Sequence, residues 1–262
     1  MSDTPDTPDT PDVVVHVASY NTAAATELCV RSMHHYAEAP FRLRVGDAGS
    51  TDGSVERLAG FAARGWLELE EAPGGRKHAE WIDGWLKHCE ARYAVFCDSD
   101  VEFRRPGWLA DLVTTATTGE HALVCARMQW PPATFVHPTT GAARRLAPRP
   151  TPWMLLVDVN QVRGRVEESF GYRDVADPDA FGGKVAYDVG AAYFAALERV
   201  GLSWAEMGPE FQKKFRHFGG LTWLRAGASR AAWGVRARQA AKLGVVHAHL
   251  WRARLSHWGP PT

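Results

Sequence analysis

The sequence predicts an α/β protein, a mostly parallel sheet flanked by helices with a helical C-terminal extension. Three observations carry this reading. Apolar, β-branched runs alternate with helix-period segments between residues 13 and 97, the connections are short, and the runs end in small, polar or acidic residues. Right-handed crossovers then put every strand's C-terminal end on one edge, where open α/β sheets bind ligands.

The elements follow in order. The run Val13 to Ala18 is a buried strand closed by Ser19-Tyr20-Asn21-Thr22, and a helix runs from about Ala24 to Tyr36. A second strand, Phe41 to Gly46, enters Asp47-Ala48-Gly49-Ser50-Thr51-Asp52-Gly53-Ser54. Its glycines allow a tight turn, and Ser50, Thr51 or Asp52 can cap the helix from Val55 to Arg64. Trp66 to Glu70 is a third strand, Gly75 to Glu90 a third helix, and Tyr93 to Cys97 a fourth strand ending at Asp98-Ser99-Asp100. Beyond Pro106 the pattern loosens into a helix (Trp108 to Thr117), a strand (Leu123 to Met128), a Pro/Arg-rich loop (Pro131 to Pro152) and a strand (Trp153 to Val159). A helix from Lys184 to Val200 and basic, Trp-rich helices from Ala205 to Thr262 complete the chain. The Asp-Thr-Pro repeat up to Asp12 has nothing to bury, so residues 1–12 are expected to be a disordered tail.

Composition narrows the function classes. The 262 residues include 30 Lys+Arg and 30 Asp+Glu, a net charge of zero, without the basic excess that nucleic-acid binding requires. Hydrophobic content is 45%, enough for a sizeable core, yet no run approaches the ~18 apolar residues of a transmembrane segment. The acidic, Pro-rich start is unlike a signal peptide, and Cys29, Cys89, Cys97 and Cys125 lack metal-ligand spacing. Free thiols in a cytoplasmic protein are the expectation. Most of the eleven Trp are expected in the core.

The chemistry concentrates in acids after strand ends. In Asp98-Ser99-Asp100, alternate side chains leave the strand on one side. Two carboxylates there make a hard-oxygen site for Mn²⁺ or Mg²⁺ holding a diphosphate, the other reading being a solvated turn.

Together, Ser19-Tyr20-Asn21, the segment Gly46 to Ser54 and Cys97-Asp98-Ser99-Asp100 resemble the family 2 glycosyltransferases, whose GT-A fold carries a Rossmann-like sheet. The middle segment, close to that family's D-x-G-S-T-D-G-S motif, is the most specific part, and the likeness is good from Val13 to about Phe103. The resemblance implies transfer of a sugar from a nucleotide-diphosphate donor (UDP, GDP or dTDP type) to a hydroxyl-bearing acceptor, usually with inversion and a divalent metal. It implies a nucleotide-binding half over 13–105 and an acceptor-binding half with C-terminal helices over 106–262. By position, Ser19, Tyr20 and Asn21 would lie against the nucleoside, Asp47 would bond the base, and Asp98 and Ser99 would meet the ribose or sugar. Asp100 would hold the metal.

Arg76 and Lys77, after Pro73-Gly74-Gly75, would suit a diphosphate, and Asp83 faces the nucleotide-sugar or is a solvated helix carboxylate. Asp188, expected to open a helix, stands where the family has its general base. Its other reading is a helix-terminal charge, and Asp174, Asp177 and Asp179 are alternative acids. His217, in Phe215-Arg216-His217-Phe218-Gly219-Gly220, resembles a late His that joins the metal, with His247 and His249 behind it.

Two other functions compete. A sugar-phosphate nucleotidyltransferase usually opens with a Gly-rich loop bearing Arg and Lys after its first strand, where this chain has Ser19-Tyr20-Asn21-Thr22-Ala23. A non-catalytic nucleotide- or glycan-binding module would bind donor without turnover. The lack of a membrane segment favours a diffusible acceptor such as a small-molecule natural product. The Ala- and Gly-interrupted C-terminal helices suggest a packed or homodimer-forming pair over an amphipathic membrane-surface helix.

Overall fold

The computed structural model describes residues 12–130, 134–136, 143–180, 183–222 and 230–260, so the expected tail, apart from Asp12, lies outside the described residues. The first half follows the expected alternation: β1 (Val13–Ser19), α1 (Ala23–Tyr36), β2 (Arg42–Asp47), α2 (Ser54–Ala62), β3 (Glu68–Glu71), α3 (His78–His88) and β4 (Tyr93–Asp98). Next come β5 (Val101–Phe103), α4 (Trp108–Thr118), β6 (Leu123–Cys125), β7 (Met128–Gln129), β8 (Thr134–Val136), β9 (Ala143–Leu146), β10 (Arg149–Pro150), β11 (Met154–Asp158) and α5 (Val159–Val162). The chain closes with β12 (Arg173–Ala176), β13 (Lys184–Tyr187), α6 (Ala191–Arg199), β14 (Trp204–Glu206), α7 (Pro209–Gln212), β15 (Phe215–His217) and α8 (Arg230–Leu255).

Seven strands form the central sheet in the order β14-β6-β11-β4-β1-β2-β3. Only β11 runs antiparallel to its neighbours, β4 and β6. Both faces are covered. Val13, Val15 and Val17 join a core with Met33, Phe61 and Trp108, while Val14 joins another with Trp81, Trp85 and Phe194. A strand buried on both faces gains from apolar residues at every position, which is why β1 and β4 read as largely apolar runs, interrupted in β1 by buried His16. The Trp pair Trp81 and Trp85 presses so closely on β2 that a Cβ at Gly46 would lie 2.7 Å from Trp85. All four cysteines are buried free thiols.

Beyond residue 130 the structure departs from the expectation. The Pro131 to Pro152 loop contains β8, β9 and β10, and β8 and β9 join the four-stranded sheet β12-β13-β9-β8. The expected helix from Lys184 to Val200 is strand β13 followed by α6. Gly190, with φ of 88°, breaks the two apart, and β13 pairs with β12. The helices expected after Ala205 include the strands β14 and β15, because edge pairing with β6 and β5 supplies backbone partners that sequence periodicity cannot reveal.

The one long C-terminal helix, α8, packs on α1 through Leu28, Val246 and Leu250. Buried Glu27 of α1 accepts bonds from Arg31 at 2.9 Å, Arg57 at 3.0 Å and Arg254 of α8 at 2.8 Å. His249 of α8 meets buried Glu102 at 2.8 Å, so its imidazole serves helix docking.

Candidate active site

The parallel sheet delivers its polar residues to one edge: Ser19 is in register with Asp47, and Ala18 with Asp98. The loops after β1 and β2 brace each other there. Asn21, at a φ of 53°, accepts the Thr51 N–H at 2.9 Å and donates its own N–H to Ser50 Oγ at 2.8 Å. Ser50 donates its N–H and its hydroxyl to the two oxygens of Asp47, each at 2.7 Å, so this buried carboxylate holds the turn. Asp52 accepts the Ala23 N–H at the start of α1 at 3.0 Å and the Ser54 hydroxyl at the start of α2 at 2.6 Å. Burial works against its ionised form, but these bonds outweigh it and lower its pKa.

A cleft of about 290 Å³ opens at this edge. Of the expected site residues, Ser19, Tyr20, Arg76, Asp98, Ser99, Asp100 and His217 line it, while Asn21, Asp47, Lys77, Asp83 and Asp188 do not. The Lys77 side chain is 87% exposed and reaches Glu80 at 3.8 Å. The next residue, His78, takes the place against Asp98, at 3.7 Å, because it is the first residue of α3. Arg76 lies 4.3 Å over the Trp81 ring and donates to Glu70 at 3.1 Å. Asp83, partly exposed, does not line the cleft. It accepts the Ser169 hydroxyl at 2.6 Å and the Phe170 N–H at 2.8 Å, beside a separate cavity of about 590 Å³.

Asp98, Asp100 and His217 converge, with ligand atoms within 4.8 Å of one another. The strand pair β5–β15 causes this: His217 is in register with Val101, and the Phe218 N–H bonds the Asp100 carbonyl at 3.0 Å. His217 Nε2 lies 3.1 Å from Asp100 and 3.4 Å from Asp98, and its ring stacks on Trp153 at 5.3 Å. Burial disfavours the imidazolium, but the bonds and charges of Asp100 and Asp98 prevail and raise its pKa to about 9. Burial likewise favours protonated Asp98, yet the His217 bond and the charges of His78, His217 and Arg149 keep its pKa below the usual carboxylate value. Two carboxylates and an imidazole form an O,O,N donor set that fits Mn²⁺ well and Mg²⁺ less well.

Asp188 sits apart, three residues before α6, so it does not cap that helix. Its carboxylate meets partly buried Arg149 at 2.8 Å, and Arg149 also donates to Gln129 at 3.1 Å and to the Val189 carbonyl at 3.1 Å. Burial lowers the Arg149 pKa while Asp188 and Asp98 both raise it, so one guanidinium feels both acids. Of the alternative acids, Asp174 accepts from Tyr172 on exposed β12, and Asp177 accepts the Asp179 N–H at 3.0 Å. His247 is exposed beside a neighbouring pocket and takes no part in the cluster.

Sequence reasoning missed His78, Arg149 and Trp153. His78 adjoins the flagged Arg76-Lys77 pair and needed only the correct helix start. Arg149 lies in a segment read as loop, and Trp153 reads as a core residue at a strand start.

Residues 14–173 match the family described as Glycosyl transferase family 2. No curated protein matches the sequence. Among solved structures, the mannosyltransferase PcManGT from Pyrobaculum calidifontis, in complex with GDP-Man and Mn²⁺, is similar with a TM-score of 0.51 at 16% identity, over 94% of this chain and 75% of that one. Glucosyl-3-phosphoglycerate synthase from Mycobacterium tuberculosis, in complex with phosphoglyceric acid, gives 0.49 at 18% identity over 96% and 81%. S. aureus TarS gives 0.44 at 14% over 90% and 43%. The likeness to PcManGT is one of fold.

Proposed function

The chain belongs to glycosyl transferase family 2, and from that premise we propose that it moves a sugar from a nucleoside-diphosphate donor to a hydroxyl acceptor with inversion, using Mn²⁺ or Mg²⁺. The observation that carries this reading is the meeting of Asp98, Asp100 and His217 in a cleft at the C-terminal edge of a parallel sheet. A cation held by these three residues supplies Lewis-acid neutralisation of the charge on the leaving diphosphate.

The chain's own residues do the rest. Tyr20, half exposed at the cleft wall, offers an aromatic face to the nucleoside, and Asn21 and Asp47 brace the loops around it. Arg76 and His78 flank the cleft as cationic or donor groups suited to diphosphate oxygens. Asp188 takes the proton from the acceptor hydroxyl as it attacks the anomeric carbon. The bond from that carbon to the diphosphate oxygen breaks on the opposite side, which inverts the configuration. Arg149, paired with Asp188 and charge-coupled to Asp98, fixes the base relative to the donor. In this reading residues 13–105 bind donor and 106–262 bind acceptor, with His217 reaching across from the second half. A thermal-shift screen with UDP, GDP, dTDP and CDP, each with and without Mn²⁺, tests it. Stabilisation by at least one nucleotide only when Mn²⁺ is present supports the reading, and no nucleotide effect under either condition overturns it.

A further inference from the structure

We propose that α8 docks the protein on an anionic lipid surface through the face it turns away from α1. The helix carries two apolar faces. Val235, Val246, Leu250 and Ala253 are buried, the last three in the cluster shared with α1. At 3.6 residues per turn, Ala237, Ala241, Ala248, Trp251 and Leu255 form a second stripe on roughly the opposite side, and all five are exposed. Trp251 is 67% exposed and Leu255 59%, and Val245 beside them is 39% exposed. A large indole and a leucine one turn apart stand in water on one helix face, and nothing among the described residues covers them.

Charge identifies the partner. Residues 230–255 include no Asp or Glu. The same helical geometry places exposed Arg238 and Arg252 along one flank of the stripe and exposed Arg236 and His247 along the other, where Arg254 is already paired with Glu27 of α1. A second copy of α8 laid on this face would set Arg rows against Arg rows with no carboxylate on either helix to pair them. Anionic headgroups neutralise both rows while Trp251 and Leu255 enter the headgroup–acyl boundary, the arrangement of helices that lie on membranes. No described helix is long and apolar enough to cross a membrane, so α8 would lie on the surface. The same helix holds the cleft's rim: Lys242 Nζ donates to the carbonyls of Phe218 and Gly219, next to His217. Docking through α8 would therefore fix the orientation of the cleft relative to the lipid surface.

The full chain is sedimented with sucrose-loaded vesicles of phosphatidylcholine, alone or mixed with phosphatidylglycerol. No nucleotide or acceptor is needed, so the result stands apart from the transferase reading. The proposal expects preferential binding to the phosphatidylglycerol vesicles, weakened roughly tenfold or more by Arg238→Glu with Arg252→Glu. It also expects loss of binding in Trp251→Ser with Leu255→Ser, and no change in Arg199→Glu on α6 as a surface-charge control. All of these positions are exposed, and unchanged melting temperatures verify folding. Equal partition onto both vesicle types overturns the proposal, as does unchanged binding in both double variants. So does a dimer in light scattering that Trp251→Ser dissolves while vesicles go unbound, which would make a second copy the occupant.

Discussion

Replacing Glu27 with Gln should loosen the whole C-terminal helix. Glu27 is 4% exposed and takes Arg31, Arg57 and Arg254 on its two oxygens. Burial alone would raise its pKa, but the bonds and charges of Arg254 and Arg31 overcome that and bring it from 4.5 to about 2. At about 1.4 kcal/mol per pKa unit the shift corresponds to roughly 3 kcal/mol, and solvent screening of the half-exposed Arg57 and Arg254 trims this to about 2–3 kcal/mol. A carboxylate with a depressed folded-state pKa stabilises fully above its unfolded value and loses that contribution as pH falls through the folded value. The difference between wild type and Glu27→Gln should therefore be largest above pH 4.5 and vanish towards pH 2. Urea unfolding followed by circular dichroism across this range measures it. A neutral-pH difference below about 0.5 kcal/mol, the level of an exposed pair, would refute the reasoning, as would a difference constant through the acid range.

Asp52→Ala, which removes the bonds at the starts of α1 and α2, should cost about 1–2 kcal/mol in urea unfolding, as loss of a helix cap does. Asp188→Asn should lower kcat strongly while calorimetric donor affinity holds, because binding does not need the proton acceptor. His217→Ala should weaken Mn²⁺-dependent nucleotide binding, with partial rescue by excess Mn²⁺ and a preference moved towards Mg²⁺. Because the His217 pKa is raised to about 9 without a cation, metal must displace a proton below that pH. Mn²⁺ affinity should then rise with pH up to about 9 in the wild type, and His217→Ala should flatten the rise.

The first hundred residues were largely legible because their signals are local. Strands β1 and β4 are largely apolar runs, broken in β1 only by His16 before the closing Ser19, and Asp47 to Ser54 is a turn whose glycines and hydroxyls stand in sequence. The carboxylates after β4 were legible for the same reason. Later segments were less so, because their structure is set by distant partners. Val185 and Tyr187 fit either helix or strand by composition, and pairing with β12 decides for strand. Phe215 to His217 becomes a strand only because Val101 to Phe103 lies alongside it. At the site, Asp98, Asp100 and His217 were readable by position, but the locations of Lys77 and Asp83 were not. The third helix starts at His78 rather than Gly75, and His78 in place of Lys77 reaches the cleft, while Asp83 is claimed by the Ser169-Phe170 loop, distant in sequence.

The central claim is that Asp98, Asp100 and His217 hold a divalent cation that binds the donor's diphosphate. Calorimetric titration of wild type and Asp100→Asn with UDP, GDP and dTDP, with Mn²⁺ and after EDTA treatment, tests it most directly. The account predicts that wild type binds at least one of the three much more tightly with Mn²⁺, and that Asp100→Asn loses this increment while keeping its melting temperature. Equal affinity with and without Mn²⁺ in the wild type, or an undiminished Mn²⁺ increment in Asp100→Asn, would contradict it.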